Sequence, residues 1–178
     1  MVNKRKRTAR LLTTLHPTYL KKRLLWFLIA LLPQVSCEPN RHYEKNIVIK
    51  KYVWDSAFVP EFVVEISDTS HLYNLYLNIR HATHYPYRNI WLIVSMISPD
   101  GQQHSRRIEV QLGDEHGKWF GDGLGDIWDY QTLIQQHAYF PAPGLYRFQV
   151  IHNMRQDPLP GIMAIGLRIE KAGWKKTS

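Results

Sequence analysis

Past residue 46 the apolar positions recur in short runs, mostly at every second residue. Residues 75–80 show the period plainly: Leu75, Leu77 and Ile79 point one way, and Tyr76, Asn78 and Arg80 the other. Residues 47–54 are rich in β-branched and aromatic side chains, and 62–66 are compact and apolar. Residues 90–97 are apolar at nearly every position, which predicts a strand covered on both faces. Pro99-Asp100-Gly101 supplies a turn into 105–112, where Ile108, Val110 and Leu112 alternate with polar neighbours. Runs at 132–140, 145–152 and 162–170 follow, with Pro143-Gly144 and Leu159-Pro160-Gly161 between them. After residue 37 no segment carries apolar residues at helical spacing over three turns. About eight short strands joined by such turns predict an all-β fold, an antiparallel β-sandwich of jelly-roll-like order. The long alternating segments and aromatic girdles of an outer-membrane barrel are not present.

The N-terminal pattern differs. Residues 1–23 hold Lys4, Arg5, Lys6, Arg7, Arg10, Lys21, Lys22 and Arg23 and no acid, and residues 24–32 are uniformly apolar. A membrane-spanning helix needs about 20 apolar residues, so this run is too short to span but suits the core of an export signal. Pro33 then breaks the run, and Gln34-Val35-Ser36-Cys37 resembles a bacterial lipobox, with Gln34 where Leu is usual. That resemblance implies removal of residues 1–36 as a lipoprotein signal peptide and attachment of diacylglycerol to Cys37. Residues 37–45, polar and containing Pro39 and Asn40, read as a tether; 46–172 as the sandwich domain; 173–178 as a tail.

Charge supports the division. Eight of the 23 Lys and Arg precede Cys37, and all 15 Asp and Glu follow it, so the remainder carries equal numbers of each sign. The formal +8 belongs to the leader. A neutral body lacks the cationic footprint that phosphate recognition requires, which argues against nucleic acid as a partner. Cys37 is the only cysteine, so an internal disulfide is excluded, and acylation gives the thiol another fate.

Candidate chemistry is sparse. The chain has no Gly-x-Ser-x-Gly elbow, and with Cys37 acylated no thiol nucleophile remains. His81 and His84 form a His-x-x-His pair, but zinc needs three or four ligands and no adjacent Cys, Asp or Glu completes the set. No metal, cofactor or catalytic residue is expected. The unusual stretch is 117–130, with four glycines, three aspartates and four aromatics in fourteen residues. Its bland reading is a structural loop whose Trp119 and Trp128 plug one end of the sandwich, the aspartates capping turns. The alternatives are calcium held by Asp122, Asp126 and Asp129, and a ligand or partner loop formed by Trp119, Asp122, Asp126, Trp128 and Tyr130.

Gly117-Lys118-Trp119, Gly123-Leu124-Gly125-Asp126-Ile127-Trp128-Asp129, Pro143-Gly144-Leu145-Tyr146-Arg147-Phe148 and His152-Asn153-Met154-Arg155, with Tyr85-Pro86-Tyr87-Arg88-Asn89-Ile90-Trp91-Leu92 before them, resemble the GldH-type gliding-motility lipoproteins. The resemblance implies a non-enzymatic protein, held in the cell envelope by the lipid on Cys37. Glu38-Pro39-Asn40 after the cysteine is not an acidic surface-export tag, so a periplasm-facing position is expected, on the inner or the outer membrane. Its expected partners are proteins of motility and secretion machinery. It carries over no catalytic residue. A carbohydrate- or peptide-binding module of the envelope is the alternative.

Overall fold

The computed structural model describes residues 40–174. In chain order its strands are β1 (Arg41–Val48), β2 (Val53–Trp54), β3 (Glu61–Ile66), β4 (His71–Ala82), β5 (Asn89–Ile97), β6 (Gln103–Gln111), β7 (Asp122–Leu124), β8 (Ile127–Ala138), β9 (Gly144–His152), β10 (Leu159–Pro160) and β11 (Ile162–Trp174). One sheet has the order β1-β11-β4-β8-β7 and the other β3-β9-β5-β6, and β2 pairs with β10 in a small ribbon. Every pairing is antiparallel. Apart from the short β2, β7 and β10, eight strands remain, and the first lies beside the last in one sheet. That order, four strands per sheet with successive crossings between sheets, is the jelly roll.

Alternation explains the layers. In β4, Tyr73, Leu75, Leu77 and Ile79 are buried while Asn74, Tyr76, Asn78 and Arg80 are not. Across from them, Phe62 and Val64 of β3, Leu92 and Val94 of β5, and Tyr146, Phe148 and Val150 of β9 complete the core. Each such fully buried side chain contributes about 1.5–3 kcal/mol. The outer face of the first sheet is a polar ladder instead. Glu44 accepts from Asn78 (3.0 Å) and Arg168 (3.1 Å), and Gln131 donates to Asn78 (2.8 Å).

Three expectations need correction. The supposed tether is already strand from Arg41, because Arg41–Val48 takes ladder bonds from β11, with Glu44 opposite Arg168. The single strand expected over 47–54 is broken. A 3-10 turn (Lys50–Tyr52) carries Lys51 and Tyr52 at φ 56°, and the chain re-emerges as β2 against β10. Finally, β5 is buried on one face and half-covered on the other. Its outward Trp91 is sheltered by the Arg107 guanidinium, 4.1 Å from the ring centroid, and not by a further layer.

Candidate functional site

The glycine- and tryptophan-rich stretch lies at one end of the sandwich and is largely built into it. Gly113 bridges Trp119, and Asp114 Oδ1 accepts from the His116 and Lys118 amides (2.9 and 2.8 Å), which folds residues 113–119 into a tight loop. At Gly121, φ is 86° and an added Cβ would lie 2.2 Å from the Asp129 carbonyl oxygen, so only glycine fits there. The next residues form β7, and Leu124-Gly125-Asp126-Ile127 is a two-residue hairpin into β8, with Gly125 at φ 61° as a II′ turn requires. Half of the presumed loop is therefore strand, and β8 starts at Ile127, five residues before the expected 132.

The candidate side chains part company. Trp119 is half-buried, its ring 4.6 Å from His81 and 6.4 Å from Tyr85, and it does close this end of the core. Trp128 is half-buried too, but its ring lies over Gly123 and not against the core, and it donates from Nε1 to Thr83 Oγ1 (3.2 Å). Tyr130 meets Phe120 at 6.0 Å. Asp122 and Asp129 face each other across β7 and β8, but Asp129 is held by Arg80 (2.7 and 2.9 Å), and Asp126 is exposed in the turn, its carbonyl accepting from the Thr83 amide (2.8 Å). Among the described residues no three His, Cys, Asp or Glu gather in a metal-binding group, so the three aspartates are not brought together. His81 is fully buried and His84 exposed, so the two do not converge either. Burial pushes the His81 imidazole below its ordinary pKa, against the pull of the Ala82 carbonyl 3.1 Å from Nδ1. Burial likewise raises the Tyr85 phenol, which donates to the Asn89 carbonyl (2.9 Å). Cys37 lies outside the described residues.

Two features were not foreseen. Trp54 is completely buried, in edge contact with the buried His152 (5.2 Å), and donates from Nε1 to the Phe58 carbonyl (2.9 Å). A cleft of about 290 Å³ opens between the sheets, lined from both and bridged at Arg106 of β6 to Ile134 and Gln135 of β8. Its signal is present in β6: the alternate positions Val110 and Ile108 are apolar, whereas the next two on the same side are Arg106 and His104. Among the described residues no helix is long and apolar enough to cross a membrane.

The eight long strands in two packed antiparallel sheets make this an all-β sandwich of jelly-roll order, with the aromatic stretch packed against one end. The model of the GldH lipoprotein family matches residues 41–169, and the chain belongs to that family. It is 28% identical to the gliding motility lipoprotein GldH homolog of Christiangramia forsetii, over 82% of this chain and 93% of that one. It is 26% identical to the gliding motility lipoprotein GldH of Flavobacterium johnsoniae, over 81% and 93%. A solved structure, the VP2 subviral particle of infectious bursal disease virus, aligns at 11% identity and TM-score 0.37 over 80% of this chain and 37% of that one. That likeness is too slight to bear on function.

Proposed function

We propose that the protein is a lipid-anchored, non-enzymatic envelope component that takes part in assembling or bracing gliding-motility and protein-secretion machinery. Diacylglycerol on Cys37 holds it to the membrane, and it faces the periplasm. The observation that carries this reading is membership of the GldH lipoprotein family, matched over residues 41–169, and the polarity of the sandwich adds an orientation. Arg41 sits opposite Glu170 and Val48 opposite Ala164, so the chain reaches the sandwich at one end, while the β7–β8 hairpin stands at the other. Eight strand residues at about 3.3 Å each separate the two ends by at least about 25 Å. An anchor just before β1 would present the hairpin away from the bilayer.

The tip of that hairpin suits a protein contact better than a sugar. Trp119 and Trp128 each commit a ring face to internal packing, and the side chains left open are aliphatic: Leu124 is 87% exposed and Ile127 37%. Leu124→Gln should leave the melting temperature unchanged and reduce the proteins that co-purify from detergent-solubilised membranes. An unaltered set of partners would move the contact elsewhere. The anchor has its own test. One acyl chain binds membranes only marginally, and two hold firmly. Cys37→Ser should abolish lipid labelling and leave a larger precursor. A mature-sized Cys37→Ser protein that stays on membranes in high salt would refute the anchor. Protease accessibility in intact and permeabilised cells reports the face.

A further inference from the structure

The cleft between β6 and β8 has walls unlike its rim. Its interior is made by Leu75, Val94, Ile134, Ala138, Phe140 and Phe148, contributed by both sheets, and four of these belong to the buried core. At its mouth stand Arg106 and His104, on the side of β6 that carries Ile108 and Val110 further along. Arg106 donates to Gln135 Oε1 (2.9 Å) and to the Ile134 carbonyl, both neutral, and its guanidinium meets no carboxylate among the described residues. An inward-pointing charge on an edge strand usually serves only to discourage edge pairing. Here it stands beside an apolar-walled cleft of about 290 Å³.

Size and charge select the occupant. At about 30 Å³ per water-sized group, 290 Å³ holds about ten methylenes, enough for one chain and too little for the two chains of a phospholipid. The cation at the mouth calls for an anionic head. We infer that the cleft binds a single fatty acid, its chain between the sheets and its carboxylate on Arg106. The inference does not depend on Cys37 or on the hairpin contact.

The test uses the full-length protein reconstituted in phosphatidylcholine nanodiscs and a photoactivatable palmitic acid added afterwards. Crosslinks should map to β5 and β8 peptides containing Val94 or 134–138, and should be competed by unlabelled fatty acid. Competition should strengthen roughly three- to fourfold per methylene and level off near ten, because longer tails leave the cleft. Arg106→Glu should weaken labelling at least tenfold with an unchanged melting temperature. Ala138→Leu, which fills the cleft with apolar atoms, should abolish labelling and keep the fold. Equal competition by the matching fatty alcohol, or labelling untouched by both variants, overturns the proposal. So does labelling confined to residues outside the cleft, which would leave the site as edge protection or a groove for a partner's strand.

Discussion

The two ends of the sandwich are closed by different means. At the hairpin end the closure is backbone-tight: Trp54, opposite Leu159 in the β2–β10 ribbon, is fully buried, Trp119 covers His81 and Tyr85, and Gly121 and Gly161 admit the chain where a Cβ would meet backbone atoms within 3 Å. At the N-terminal end the closure is made by rings alone. Phe140 contacts Tyr146 (4.7 Å), Tyr73 (5.3 Å) and Phe148 (6.4 Å), and beside this cluster the cleft remains open. Their histidines differ as well. His81 is buried at the first end, whereas His71 at the second is paired with Asp68 at 2.6 Å. One end is packed as structure, and the other keeps room.

Removing the plug of each end should produce the largest effects. Trp54→Ala and Phe140→Ala should each cost about 3–5 kcal/mol, with Trp54 the more damaging, because its enclosed site cannot relax while Phe140 borders an existing space. Urea denaturation of both variants measures the difference. Equal losses would mean that the ends are packed alike.

Gly121→Ala comes next. Both the clash with the Asp129 carbonyl and the φ of 86° oppose it, for about 1–3 kcal/mol, and β7 should detach from β8 first. Hydrogen exchange should show lost protection at 127–129 and little change in β9. Uniform loss would show that the hairpin is not a separate unit.

Acid should distinguish the ends without mutation. His81 has a depressed pKa in the folded protein, so the unfolded chain gains a proton near pH 6.5 that the folded one refuses. That contribution is complete above pH 6.5 and declines below it. Asp68 is lowered to about 2 by bonds from the Ser70 hydroxyl and amide, and then by His71. Its contribution stands above the unfolded value of 3.8 and is lost as pH falls toward 2. Melting temperature against pH should thus fall in two stages, the first removed by His81→Gln and the second only reduced by Asp68→Asn, because Glu44 and Asp157 are also held below the usual carboxylate range.

The smallest effect belongs to Arg80→Ala at the hairpin end. Its pair with Asp129 is half exposed on both sides, so no more than about 1 kcal/mol is expected despite the bidentate geometry. A greater loss in thermal melts would make this pair part of the closure.

The sequence by itself determined the strands whose one face must leave water. Period-two burial in β4 and β9, and the turns at Gly101 and Gly144, follow from local chemistry, and with them the all-β sandwich; which strand lies beside which does not. It also marked the stretch 117–130 as unusual, since four glycines among aromatics are a local signal. Pairing decided the rest. The first part of β1 is polar, and it is a strand only because β11 offers it a ladder and Asn78 and Arg168 satisfy Glu44, all distant in sequence. Trp128 lies opposite His81 in the β4–β8 register, yet it is the ring of Trp119 that packs on His81 while that of Trp128 turns onto Gly123, a choice settled by contacts 38 and 47 residues apart along the chain. The cleft arises where Arg106 and His104 replace apolar residues on an edge strand, and a space between two sheets exists only after both have packed. Burial patterns are properties of a segment; partners, lids and cavities are properties of segments brought together.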